Sequence, residues 1–260
     1  MKNVLITGAR SGIINKVCDK LIDKDYFLYI TVHTNSELKI IQKKYQKFNN
    51  VKCLKLDVTN KDDKAKLKEI DIDILVSNAA IAESGSISEI DMDKIRNNFE
   101  VNVFSNFEIV QIVLKKMIKK RKGKIIMMAS LAGVIPIPFL GSYCASKASI
   151  IKMAECLNLE LKLLNNDIYV SIIKPGLYKT GFNKLAFDKK YDFMEVNSYF
   201  KYYIDLIRKS ENIFLKLFEK KNLNSIIKQI IKAIESDNPK LFYSAPLSQT
   251  LFAKIISLFY

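Results

Sequence analysis

Short aliphatic runs alternate with amphipathic stretches along most of this chain, and that alternation constrains the fold more than any other feature. Residues 4–6, 27–32, 51–56, 72–76, 124–128 and 168–173 are brief and nearly continuous in apolar character. Strands buried on both faces of a parallel sheet read this way, whereas strands with one wet face alternate. Helical patterns lie between them over 36–47, 91–120 and 142–165. Parallel neighbours need right-handed crossovers, so the expected class is α/β: a doubly wound parallel sheet of about seven strands with helices on both faces. A helix near 223–236 and a last strand over 240–244 complete the pattern. No repeat or linker divides residues 1–260, so one domain is expected. At 260 residues and 49% hydrophobic, such a chain builds its core without disulfides or metal.

The first apolar run enters Thr7-Gly8-Ala9-Arg10-Ser11-Gly12-Ile13-Ile14. A glycine turn between a first strand and a helix exposes backbone N–H groups at a helix N-terminus, where a pyrophosphate binds well. Taken alone, two glycines four apart serve equally well as a structural turn. Asp57-Val58-Thr59 closes the third strand, where a carboxylate can accept from an adenine amino group. Ser77-Asn78-Ala79-Ala80 ends the fourth with small residues that admit a ligand to the backbone. Read singly, Asp57 is as readily a turn residue and Asn78 a strand cap.

A second cluster follows the fifth strand. Ser130 stands thirteen positions before Tyr143, across a loop holding Pro136, Pro138 and Gly141, and Lys147 follows Tyr143 by four. On a helix Tyr143 and Lys147 share a face. A tyrosine with its ordinary pKa of about 10 is a poor base near neutrality, and an adjacent ammonium favours the phenolate. A shift to about 7 needs roughly 4 kcal/mol of preferential stabilisation, within reach of charges in a dry site. Tyr143 can then exchange a proton with a substrate oxygen that Ser130 holds. Without context the Tyr-x-x-x-Lys spacing is most often a solvated helix face.

In order along residues 1 to about 181, Thr7-Gly8-x-x-x-Gly12, Asp57-Val58, Asn78-Ala79-Ala80, Asn102 in Val101-Asn102-Val103, Ser130, Tyr143-x-x-x-Lys147, Pro175-Gly176 and Thr180 resemble the short-chain dehydrogenase/reductase family. Each element is weak alone, and the ordered set is specific. The resemblance implies a Rossmann-like fold and hydride transfer between a nicotinamide cofactor and an alcohol/carbonyl pair. It implies Tyr143 as acid/base, Lys147 lowering its pKa and holding the nicotinamide ribose, and Ser130 on the reacting oxygen. Asn102 would position a water linking Lys147 to solvent, and Thr180 would contact the carboxamide of the nicotinamide. Gly8, Arg10, Ser11, Gly12, Ile13, His33, Thr34, Asp57, Val58, Asn78, Ala79, Ala80, Pro175 and Gly176 would complete the cofactor site. Two departures stand out. Ile14 replaces a third glycine that permits close helix–strand packing, so weakened cofactor affinity or a displaced first helix is expected. Asp57 and Asn78 are only 21 positions apart, so the intervening helix is expected to be trimmed.

The end of the second strand, Thr31-Val32-His33-Thr34-Asn35-Ser36, offers no carboxylate for a ribose 2′-OH before Glu37. Arg10 can pair with a 2′-phosphate instead, so NADP(H) is favoured over NAD(H). Residues 182–222 are rich in aromatics and sit where the family builds a substrate lid. They suit a lipophilic steroid-, retinol- or lipid-like carbonyl, or serve equally to pack the lid on the core. The remaining readings are a 3-oxoacyl-thioester reductase of fatty-acid synthesis and a cofactor-binding protein without turnover. In the tail 247–260, Leu251, Phe252, Ile255, Ile256 and Phe259 recur at helical spacing. Packing on the core or on a second copy is preferred there over rest on a membrane surface.

The formal charge of +15 invites a nucleic-acid partner, but the lysines are spread along the chain. The densest run, Lys115-Lys116 with Lys119-Lys120-Arg121-Lys122, ends a predicted helix, where cations complement the helix dipole. No nucleic-acid partner is expected. A homo-oligomer, dimer or tetramer, is expected through helices 91–120 and 142–165. Cys18, Cys53, Cys144 and Cys156 form no C-x-x-C pair, and with the one histidine, His33, they assemble no metal site, so no metal is expected. The opening apolar run is too short for a signal peptide, no run approaches about 18 apolar residues, and a cytoplasmic location is expected.

Overall fold

The computed structural model describes residues 1–10 and 12–259. Seven parallel strands form one sheet in the order β3-β2-β1-β4-β5-β6-β7. In chain order the elements are β1 (Lys2–Ile6), α1 (Gly12–Leu21), β2 (Tyr26–Val32), α2 (Asn35–Tyr45), β3 (Val51–Lys55), α3 (Lys61–Ala65) and β4 (Ile74–Ser77). They continue with α4 (Met92–Phe99), α5 (Ser105–Lys120), β5 (Lys122–Met128), α6 (Gly141–Leu163) and β6 (Asp167–Pro175). The last are α7 (Phe182–Asp188), α8 (Tyr191–Asn197), α9 (Ile204–Phe218), α10 (Asn224–Glu235), β7 (Phe242–Ala245) and α11 (Leu247–Ile256).

The near-continuous apolar strands have the predicted consequence. Val4, Ile6, Ile74, Val76, Ile126 and Ile173 point to one face, where they pack with Ile14, Val17 and Leu21 of α1, Ile41 of α2 and Ile230 of α10. Leu5, Leu75, Ile125, Met127 and Ile172 point to the other, against Val110, Val113 and Met117 of α5 and Ile150 and Ala154 of α6. Successive residues of one strand thus serve two cores, which is why the central strands β1, β4 and β5 carry apolar residues toward both faces. The doubly wound class expected from sequence is the observed fold.

Several boundaries moved. The stretch 91–120 is two helices joined by a π-helical segment over Glu100–Phe104, not one helix. The element between Asp57 and Asn78 is indeed short: α3 and a single 3-10 turn, Lys66–Glu69. Ile14 does not push α1 off the sheet. Its side chain is 1% exposed and becomes part of the core beneath the helix.

The basic run at the end of α5 has local partners. Lys120 pairs with Asp71 at 2.6 Å and Asp73 at 2.9 Å, Lys116 donates to the Ile70 carbonyl, and Arg121 terminates the helix in a left-handed conformation. The aromatic segment folds as α7, α8 and α9 and divides its rings. Phe182, Phe187, Tyr191 and Phe200 turn inward, while Tyr199, Tyr202 and Tyr203 face outward. The tail forms α11, which docks through Gln249, Thr250 and Ala253.

Candidate active site

The sheet reverses its winding between β1 and β4, so the loops leaving these two strands diverge and open a crevice at their C-terminal ends. The glycine turn lies there. Gly8 has φ +64°, and a Cβ on it would stand 2.8 Å from Ala79 Cα, so only glycine lets the two loops approach this closely. Gly12, at φ +71°, faces Thr180: a Cβ would meet the threonine Cβ at 3.4 Å. Thr7 Oγ1 accepts from the amides of Asn78 (2.8 Å) and Ala79 (3.0 Å). Asn78 Nδ2 donates to the carbonyls of Thr7 (3.1 Å) and Gly8 (3.0 Å). Gly8, Gly12, Asn78, Ala79 and Thr180 are therefore brought together around the N-terminus of α1. Ser11 lies outside the described residues, and Ile13 is partly buried against the core.

A dinucleotide fits this cradle: glycine surfaces without side chains face the start of a ten-residue helix whose free N–H groups attract phosphate oxygens. The far end of the crevice, next to the ends of β2 and β3, holds His33, Thr34 and Asp57. His33 Nε2 lies 3.4 Å from Asp57 Oδ2, and Thr59 donates to Asp57 Oδ1 from its amide and its hydroxyl. Those two hydrogen bonds and the histidine hold the Asp57 carboxyl below its ordinary range against the opposing effect of partial burial. Val58 is a core residue at this point, so only its backbone borders the crevice.

Glu37 was passed over in the sequence reading because it follows the strand end by several residues. The structure brings it back. Thr34 and Glu37 form a capping box on α2, and Glu37 Oε2 accepts from His33 N at 3.1 Å. Its other oxygen takes a hydrogen bond from Arg10 Nη1 at 2.9 Å. Arg10 and the two backbone amides lower the Glu37 pKa, outweighing the rise from partial desolvation. The missing signal was the Thr-x-x-Glu spacing, which reads as a helix start.

At the other end, Tyr143 and Lys147 share a face of α6, with the ammonium 5.7 Å from the phenol ring centre. Ser130 caps the 3-10 turn Leu131–Gly133, its Oγ accepting from Ala132 N at 3.1 Å. The backbone thus occupies an acceptor site on Ser130 and leaves its O–H proton for another oxygen. Burial pushes the phenol of Tyr143 up, and a hydrogen bond to Ser130 opposes that rise. Burial also pushes Lys147 down, to about 8, although its Nζ donates to the Met128 carbonyl at 2.9 Å. The phenol lowered by its lysine that the sequence led one to expect is not what the chain's own groups produce: desolvation is the largest influence on Tyr143, and Ser130, not Lys147, is the group that opposes it.

Asn102 is completely buried, and its amide is occupied. Oδ1 accepts from Ile81 N (2.8 Å), while Nδ2 donates to the Ile81 carbonyl (2.9 Å) and to Ser146 Oγ (3.0 Å). The side chain expected to position a water instead ties the loop after β4 to the helix carrying Tyr143. It is the middle rung of three. Asn98 donates to Ser142 Oγ at 2.6 Å and accepts from Glu83 N, and Asn106 donates to the Ala79 carbonyl and accepts from Ser77 Oγ. Asn98, Asn106, Ser142 and Ser146 escaped the sequence reading. Their signal was a four-residue spacing, asparagines at 98, 102 and 106 against serines at 142 and 146.

Pro175 ends β6, and Gly176 lies against α11, where a Cβ would run into Gln249 Oε1. Helix α7 reaches the phenol: the Phe182 ring centre is 5.8 Å from that of Tyr143. Ala80 is half-buried on the same side of the crevice.

The family model described as short chain dehydrogenase matches residues 2–190. An NADPH-dependent 3-dehydrocapnine reductase of Ornithobacterium rhinotracheale is 31% identical over 193 residues, 69% of this chain and 66% of that protein. A 3-ketodihydrosphingosine reductase of Bacteroides thetaiotaomicron is 30% identical over 263 residues, 96% of this chain and 90% of that one. Among solved structures, a short-chain dehydrogenase of Sphingobium yanoikuyae in complex with NADPH superimposes with TM-score 0.74 at 20% identity, covering 100% of this chain and 95% of that chain. With a family model spanning the crevice, the Ser130, Tyr143 and Lys147 cluster and α7, this chain belongs to the short-chain dehydrogenase/reductase family of NAD(P)-dependent oxidoreductases.

Proposed function

We propose that the protein reduces a lipophilic carbonyl, using NADP(H) in preference to NAD(H), with Tyr143 as the proton donor. The observation that carries this reading is the placement of Tyr143, which shares a face of α6 with Lys147 and lies against the Phe182 ring. A phenol raised by burial stays protonated at neutral pH, and that is the form needed to protonate a carbonyl oxygen as it accepts hydride. A nicotinamide seated in the crevice would supply the hydride. Ser130, whose hydroxyl lies beside Tyr143, can turn its O–H proton to the same oxygen, so charge developing there meets two donors. Lys147 keeps two ammonium protons beyond the one given to Met128, and these suit ribose hydroxyls. Asn102 and Asn98 fix α6 against the loop after β4, so that Tyr143 and the cofactor edge keep their spacing.

The lipophilic substrate is supported by Phe182 over Tyr143, by the inward rings of Phe187 and Phe200, and by a relative named 3-ketodihydrosphingosine reductase. The NADP(H) preference is supported by Arg10, whose exposed guanidinium can leave Glu37 for a 2′-phosphate.

NADPH oxidation by wild type and Tyr143→Phe, across short ketones, long-chain 2- and 3-ketones and a 3-oxoacyl thioester, tests the reading. Wild type is expected to prefer the long-chain ketones. Tyr143→Phe is expected to lose about 10²–10⁴-fold in kcat while binding NADPH as before. Turnover that survives in Tyr143→Phe removes the tyrosine from the chemistry, and a preference for short ketones removes the lipophilic substrate.

A further inference from the structure

Helix α11 buries its polar side. Gln249, Thr250 and Ala253 face the protein, and Gln249 spends its amide on Leu177 N (2.7 Å) and the Phe218 carbonyl (2.6 Å). The opposite stripe is apolar. Leu247, Leu251, Ile255 and Leu258 recur at helical spacing through α11 and the turn after it, with exposures of 71, 51, 58 and 83%. Phe252 and Phe259 flank them and are exposed as well. A surface helix normally does the reverse, and a contiguous apolar face marks an interaction site.

The patch continues onto α9, where the Phe218 and Phe252 rings are 5.9 Å apart and Leu217 is exposed. Exposed lysines surround this junction: Lys216, Lys220 and Lys221 at the end of α9, Lys254 on α11, and Lys179, whose amide donates to the Lys220 carbonyl. Glu219, which stands among these lysines in sequence, is engaged with Asn183 Nδ2 at 2.8 Å. Because β7 runs parallel to β6, α11 leaves the sheet at the edge that carries the crevice, and Gln249 lies against Gly176 there.

We propose that α11 and the C-terminal end of α9 rest on an anionic lipid bilayer, the apolar stripe at the acyl boundary and the lysines among the headgroups. No helix among the described residues is long and apolar enough to cross a membrane, so the contact lies in the plane of the interface. Charge selects this occupant over a second copy. Two such patches would set five lysines against five, in a chain of net charge +15, whereas each lysine near an anionic surface favours partitioning by roughly fivefold.

Co-sedimentation of the whole chain with phosphatidylcholine vesicles, with and without phosphatidylglycerol, tests it. The protein is expected to pellet with the anionic vesicles, and less so at about 0.5 M than at about 0.1 M salt. The double variant Leu251→Asp/Ile255→Asp is expected to lose at least about tenfold in partitioning. Both side chains are exposed, so its NADPH binding and unfolding midpoint are expected to match wild type, separating this test from any failure of the proposed reduction. Wild type that stays in the supernatant with anionic vesicles overturns the proposal, as does a variant that pellets equally. So does a dimer, abolished by the same variant, in a protein that ignores vesicles.

Discussion

At the residue scale the site is governed by desolvation. Tyr143 and Lys147 are partners by spacing, yet burial raises one and lowers the other, so both sit nearer their neutral forms than in water. The sign of the resulting pH dependence can be worked out. Below about 8 Lys147 carries its ammonium and Tyr143 its proton; above it the ammonium is lost while the phenol is still protonated. Reduction measured as kcat/KM is therefore expected to be level near pH 7 and to fall as pH rises past about 8. Lys147→Arg, whose guanidinium does not titrate there, should erase that limb even at a lower overall rate. A profile that falls at the same pH in both proteins assigns the limb to another group. Arg10 and Glu37 give a second test. Arg10→Glu is expected to raise the KM for NADPH by at least about tenfold, since a guanidinium is exchanged for a like charge facing phosphate. Glu37→Gln, by freeing Arg10, should lower it. Unchanged NADPH KM in both variants removes this pair from cofactor selection.

At the element scale the segment α7–α9, proposed as the substrate lid, is held by charge as well as by aromatic packing. Lys190 has no exposed side-chain surface; it pairs with Glu211 of α9 at 2.8 Å and donates to the Phe187 carbonyl at 2.6 Å. Tyr191 donates to Glu211 at 2.5 Å, and the lysine lies 4.2 Å from that ring centre. Phe139, which leads into the helix of Tyr143, stacks edge-on against Phe200 of the lid with ring centres 5.2 Å apart. Lid and catalytic helix thus share a contact. Glu211→Ala strands a buried ammonium and is expected to cost about 3–5 kcal/mol, seen as a lower unfolding midpoint and a raised substrate KM. Lys190→Met/Glu211→Leu should recover most of the midpoint, because no charge is left unpaired. If Glu211→Ala unfolds like wild type, the pair does not hold the lid.

At the scale of the whole molecule, the crevice joins the two windings of the sheet, so a ligand seated there binds the folded chain alone. NADPH at about one hundred times its Kd is expected to add about 2.7 kcal/mol, raising the unfolding midpoint by roughly 5–10 °C. NADH at the same concentration should raise it less. Equal shifts with the two cofactors would overturn the NADP(H) preference, and no shift with either would remove the cradle.

What could be read without coordinates was local or periodic. Apolar runs at strand length declared a parallel sheet because both faces of its central strands are covered, and the order of Gly8, Asn78, Ser130, Tyr143 and Lys147 pointed to the crevice and to Tyr143 as the proton donor proposed here. What depended on distant partners could not be read. Asn102 is spoken for by Ile81 and Ser146, Glu37 reaches back to Arg10, and Ile14 disappears into the core under α1. The direction of the Tyr143 shift belongs to the same class, since it depends on how much water the surrounding elements exclude. The apolar period of 247–259 predicted a helix, but period alone says nothing of which side is covered. Only the docking of Gln249 beneath Gly176 turned that stripe outward.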